Sequence, residues 1–200
     1  MKKIFVPALA AAAAMLPATA NAQQIDDAKI GVVDVETAIR TCTACATAWA
    51  QLDAQAQQLR ANQQAAAAPL QTEGQQIAAE IRALNGAEPS QALQQRANAF
   101  EQRRQQAAAT AQQQSAVLQR NQNYVLQQIG AQLDPAYVAV LSQRRINLIV
   151  PKNSTLANSP SLDVTNDVIA QLNRTLTSIA TTAPQPQQPA AQPQAQPQGR

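Results

Sequence analysis

Between Ala46 and Leu133 the chain is rich in Ala, Gln, Glu and Arg, and this stretch constrains the fold more than any other feature. These are all good helix formers. Large apolar residues are sparse there. Leu70, Ile77, Ile81 and Leu84 follow a 7, 4, 3 rhythm, which places them on one seam of a coiled-coil-like helix. The rhythm is interrupted once, at "NGAEPS", residues 85–90. Asn85-Gly86 is a helix stop and Pro89 can start a second helix. The return leg carries Leu93, Phe100, Ala107, Val117, Leu118, Val125 and Ile129. The expectation is a long helical hairpin over 46–132 with its tip near 85–89. A leg of about 40 residues is about 60 Å long. Pro69 and Gly74 predict a kink in the outgoing leg.

Composition argues against an ordinary globule. Aromatic residues make up 2% of the chain, and alanine alone supplies nearly half of the apolar fraction. Alanine buries little area, so a compact core is hard to sustain at about 25 cal/mol per Å². An extended, oligomeric helical protein fits better.

The flanks read differently. "AKIGVVDVETAI", 28–39, is a short buried strand that turns into a short helix from Asp34. After the hairpin, Asp134-Pro135 reads as an N-cap and first helical residue, restarting a short helix. "INLIVP", 146–151, is a second strand, and "STLANSP", 154–160, is expected as a third. Asp163 then caps a helix reaching Ile179, with Val164, Val168, Leu172 and Leu176 along one face. The strand residues Ile30, Val32 and Val33 must pair with Ile146, Leu148 and Val150, which leaves the hairpin as an insertion. So small a sheet cannot cover its own faces, and self-association is the natural remedy. The fold class is α+β: a small sheet or barrel body, 23–45 and 133–180, with one protruding helical arm per chain.

The ends bear on localisation. Lys2 and Lys3, the apolar run Ile4–Leu16 and Ala20-Asn21-Ala22 occur in the order of a secretory signal peptide cut after Ala22. That predicts export to the periplasm. The chain has fifteen Lys+Arg against twelve Asp+Glu; without Lys2 and Lys3 the excess falls to +1. The basic balance therefore gives no argument for nucleic acid. Residues 181–200 are Pro/Gln-rich and read as a disordered or polyproline-like tail.

With these elements in place, the chain resembles the Skp (OmpH-like) periplasmic chaperones. The resemblance rests on "KIGVVDVETAI", the hairpin, "INLIVPKNSTLANS" and "DVTNDVIAQLN", and covers about residues 28–175. It implies a homotrimer whose strands form a small β-barrel, with three hairpin arms around a cavity. It implies a holdase that needs no ATP or cofactor, protects unfolded outer-membrane proteins and delivers them to the outer-membrane assembly machinery. Candidate arm contacts for such clients are Leu70, Ile77, Ile81, Leu84, Leu93 and Phe100. The arms depart from the strongly basic arms of the best-known members. Arg60, Arg82, Arg96, Arg103, Arg104 and Arg120 face Asp53, Glu73, Glu80, Glu88 and Glu101, a net +1. Lipopolysaccharide is therefore a doubtful partner.

Cys42 and Cys45 form a C-x-x-C pair. With two cysteines and no histidine, one chain cannot supply four Cys/His zinc ligands. A small disulfide pinning the turn between body and arm is one reading. Two buried free thiols and a catalytic dithiol are the others. No histidine is present for a Ser/His/Asp set, so the chain reads as a non-enzyme. A structural envelope spacer is the competing function.

Overall fold

The computed structural model describes residues 27–185. The expected signal peptide, and residues 186–200 of the expected tail, lie outside them. The chain is mostly helical. In order it forms β1 (Ile30–Val33), α1 (Val35–Thr41), α2 (Thr43–Ala83), α3 (Gln91–Arg144), β2 (Leu148–Pro151) and α4 (Thr165–Thr175).

β1 and β2 pair in parallel, with Ile30 opposite Leu148 and Val32 opposite Val150. A parallel pair needs a long crossover. Here that crossover is α1, the whole arm and its return. On the other edge of β1, Val32 bridges Asp163, and the Val164 N–H donates to the Val32 carbonyl at 2.9 Å. β1 is therefore central, and β2 presents an open edge. In the single chain Ile30 and Leu148 remain 38% and 45% exposed.

The core sits at the root of the arm. Val164, Val168, Leu172 and Leu176 form the apolar stripe of α4 and pack against α1, α2 and α3 through Ala38, Leu52, Val125, Ile129 and Val140. Leu52, Ile129, Leu172, Val125, Val140 and Val168 are fully buried. Trp49 covers one flank: its indole N–H donates to the Ile39 carbonyl at 2.9 Å, and the Arg40 guanidinium lies 5.7 Å from its ring centre.

α2 has 41 residues and α3 has 54, so they extend about 60 and 80 Å. The tip closes through Asn85 and Gly86, both at positive φ, with the Ala87 N–H donating to the Leu84 carbonyl at 2.9 Å. α3 starts at Gln91 and not at Pro89, because Ser90 caps it: its side chain accepts the Leu93 N–H at 3.2 Å.

Several expectations are corrected. α3 runs through Asp134-Pro135 without restarting. Pro135 cannot donate to the Ala131 carbonyl, but Ala131 is exposed to water, and buried Ala136 and Val140 hold the next turns on the core. Packing there outweighs the cost of an interior proline, about 3 kcal/mol. α2 is one continuous helix through Pro69 and Gly74. Gly74 serves close approach: a Cβ there would lie 3.0 Å from the Phe100 ring. The expected third strand is absent. Lys152–Ser154 and Pro160–Leu162 are single 3₁₀ turns, and Leu156 between them is fully exposed. α4 ends at Thr175, not Ile179, and Val164 is its formal N-cap. Asp163 stands one residue earlier and still accepts the Thr165 N–H at 2.8 Å. Finally, residues 181–183 are not part of a free tail, because Ala183 is buried against the arm.

Candidate functional site

The arm is a two-helix seam with few large residues. Of the six candidate contact residues, Ile77 and Leu93 are buried between the legs. Leu70, Leu84 and Phe100 are half-buried, and Ile81 is 47% exposed. The seam thus consumes part of the set and leaves Ile81 and the flanks of the others open. Between Leu59 and Leu70, α2 offers only Gln, Asn, Ala and Pro besides Arg60. The legs leave a groove of about 750 Å³ there, floored by Ala66, Ala67, Ala107 and Ala111.

Three of the arm's six arginines are paired with arm glutamates. Arg96 pairs with Glu80 at 2.9 Å, Arg103 with Glu73 at 2.6 Å, and Arg104 with Glu101 at 2.8 Å. The first two pairs tie one leg to the other. They are exposed, so each adds no more than about 1 kcal/mol. They also take two of the arm's six arginines into pairs.

Cys42 and Cys45 are disulfide-bonded and fully buried at the start of α2. The Cys42 sulfur also accepts the Cys45 N–H at 3.1 Å, and the Asn173 side chain accepts the Thr43 N–H at 2.8 Å. Thiol–disulfide exchange needs an attacking thiolate to reach a sulfur. Burial of both sulfurs in the core blocks that approach.

The "DVT" run has a specific mechanical role. The Thr165 hydroxyl oxygen accepts the Asp34 N–H at 2.9 Å, while Asp163 accepts the Thr165 N–H. Asp34 in turn caps α1 by accepting the Thr37 N–H at 3.0 Å. The end of β1 and the starts of α1 and α4 are thereby locked together. Hydrogen bonds from the Thr165 side chain and backbone hold the Asp163 carboxyl below its usual range, aided by nearby Lys152 and opposed by slight burial and Asp34. The Thr37 N–H does the same for Asp34, with Lys152 helping. On the far side of α4, Arg144 pairs with Asp167 at 2.7 Å.

Sequence reasoning missed a second polar cluster. After α4 the chain continues as an extended strap that lies on the arm's root, gripped by amide side chains. Gln128 donates to the Ala180 carbonyl at 2.8 Å and accepts its N–H at 3.0 Å. Gln55 donates to the Thr181 carbonyl at 3.2 Å, and Asn121 accepts the Ala183 N–H at 2.9 Å. Asn121 also donates to Gln55 at 3.0 Å, bridging the legs. A signal existed: Gln114, Asn121 and Gln128 recur every seven residues on α3. In so Gln-rich a chain it does not stand out.

Among the described residues, no group of three metal-ligating side chains converges, and no helix is long and apolar enough to cross a membrane.

The model of the family described as Outer membrane protein (OmpH-like) matches residues 29–172. No curated protein matches the chain. A solved chain from Caulobacter crescentus CB15, described as a candidate OmpH-like outer membrane chaperone, is similar with a TM-score of 0.64 at 15% identity. The similarity covers 78% of this chain and 90% of that one. At that identity the likeness concerns the fold. The family match spans both strands, the entire arm and the α4 stripe as far as Leu172, and on that ground the chain belongs to the OmpH-like family.

Proposed function

We propose that this protein is a periplasmic holdase for unfolded outer-membrane proteins, working without ATP or cofactor. The observation that carries the reading is the arm: a long, thin hairpin whose seam leaves apolar surface open, in a chain of the OmpH-like family. Three chains would join through the open β2 edge and exposed Ile30 and Leu148 into a small barrel. Their arms would enclose the client. Partly buried contacts at residues such as Leu70, Ile81, Leu84 and Phe100 are each worth about 1 kcal/mol or less. Many such contacts mask a client from its neighbours yet let it leave for the assembly machinery. With a net charge of only +1 and two of its arginines paired across the legs, the arm would take clients by apolar contact rather than by charge.

The test is light scattering on size-exclusion peaks of the mature chain, alone and mixed with an unfolded outer-membrane barrel diluted from urea. The expected result is a trimer that keeps one barrel soluble in a defined complex. A species that ignores the barrel while it precipitates would sink the holdase reading and favour the envelope spacer.

A further inference from the structure

The strap points along the arm. Ala180 sits at Gln128 and Ala183 at Asn121, so the chain advances toward the tip as it leaves the body. One side chain of the strap is held, the Thr181 hydroxyl donating to Gln51 at 2.9 Å, but most of the grip is on its backbone. The Gln128, Gln55 and Asn121 amides pair with backbone N–H and C=O groups, much as a neighbouring strand would. Beyond Ala183 the same crevice continues. Gln55 and Asn121 also line a groove section of about 340 Å³, which carries Leu59 and Leu118 and ends at Asn62 and Gln114. Those last two residues in turn begin the alanine-floored section of about 750 Å³. Strap, first section and second section are thus consecutive along one face of the hairpin.

We propose that this groove is the seat of the chain's own C-terminal segment, residues 184–200. The strap delivers that segment to the mouth of the groove. Length permits it: from Asn121 to Gln106 is about 22 Å along α3 at 1.5 Å per residue, and seventeen residues remain after Ala183. In extended form they reach about 50 Å at 3.1 Å per residue, more than twice what is needed. The chemistry also matches. Proline rings and alanine methyls of "PQPQQPAAQPQAQPQGR" suit a lining that carries Ala66, Ala67, Ala107 and Ala111 and few large side chains. Prolines bring carbonyls but no N–H to satisfy. Gln58, Asn62, Gln63 and Gln114 continue the row of amides that could meet those carbonyls, as Gln55 and Gln128 do on the strap. The segment therefore covers the arm's alanine floor. Given the holdase reading, it also competes there with an extended client.

The test uses the full mature chain carrying a photo-crosslinking residue at Ala107 on α3, or at Ala67 on the facing leg, with exposed Val138 at the body end as reference. After illumination without client, tryptic peptides are read by fragmentation. Adducts from both groove positions should fall within residues 184–200, independently of protein concentration. In a mixture of isotopically light and heavy chains they should join residues of the same chain. Their yield should exceed that from Val138 by about tenfold, reflecting the high effective concentration of a tethered segment. Adducts scattered over other peptides, matched by Val138, or formed only between chains would overturn the docking. A chain ending at Ala183, which keeps the strap, separates the second claim. Its apparent client affinity should rise on the order of two- to tenfold. Unchanged affinity alongside strong tail adducts would overturn the competition and leave the docking in place.

Discussion

Thr165 is the sharpest point at which to test the account of the body. It is 6% exposed, and its hydroxyl oxygen is the acceptor for the Asp34 N–H at 2.9 Å. Thr165→Val keeps the shape and removes that acceptor. The Asp34 N–H is then stranded at the junction of β1 and α1, which costs about 1–3 kcal/mol. Thr165→Ser keeps the acceptor and loses one buried methyl, about 0.8 kcal/mol. Valine should therefore be worse than serine, although hydropathy alone would rank them the other way. The assay is urea unfolding followed by far-UV circular dichroism at one fixed protomer concentration, because assembly would otherwise shift the midpoint. With a slope of about 2 kcal/mol per molar urea, a 2 kcal/mol loss lowers the midpoint by about 1 M. A valine variant as stable as the parent, or a serine variant losing more than valine, would refute the assigned role of the hydroxyl.

Four further outcomes are expected. The depressed carboxyls of Asp34 and Asp163 contribute stability that is present above their ordinary values near pH 3.8 and is lost as pH falls through the lower folded values; Asp163→Asn should flatten the acid limb of a stability–pH profile. Leu172→Ala, at a fully buried position in the α4 stripe, should cost about 2–5 kcal/mol in the same urea assay. Gly130→Ala should stabilise by about 0.5–1 kcal/mol, since a Cβ there meets nothing within 4 Å inside α3; a measured loss would show that the helix interior at Gly130 needs glycine for another reason. Cys42→Ala with Cys45→Ala should lower stability by about 2 kcal/mol through loss of a short covalent loop, while aggregation assays show client holding intact. Loss of holding in a folded double variant would give the pair a functional role that its burial argues against.

The large features were legible because they repeat. Heptad spacing from Leu70 to Leu84, the Asn85-Gly86 stop and the α4 stripe each report a period or a turn that local chemistry dictates. The pairing of β1 with β2 could be inferred because two short apolar runs had no other way to be covered. What failed to show depended on long-range partners. Pro135 looks like a helix start until Ala136 and Val140 are seen on the core. "STLANSP" looks like a strand but finds no neighbour for its backbone. Thr181 to Ala183 look like a tail because their only anchors, Gln51, Gln55 and Asn121, lie more than sixty residues away. Gly74 suggests flexibility until the Phe100 ring is placed against it. For the candidate client contacts, spacing could place Ile77 and Leu93 on a seam. It could not say which neighbours stay open, because that depends on how closely alanine lets the legs approach.

The parallel pairing of β1 with β2 also dictates an order of assembly in time. Lys29 meets Asn147 across a separation of 118 residues. The hairpin needs only contacts between legs that begin a few residues apart at the tip. Local contacts close fast, and distant strand pairing is slow. A chain emerging N-terminus first therefore presents β1 long before β2 exists. The arm can zip from its tip in the interval. That zipping draws its two roots together and shortens the effective loop that β1 and β2 must close. The hairpin is thus also the device by which the chain brings its own ends together.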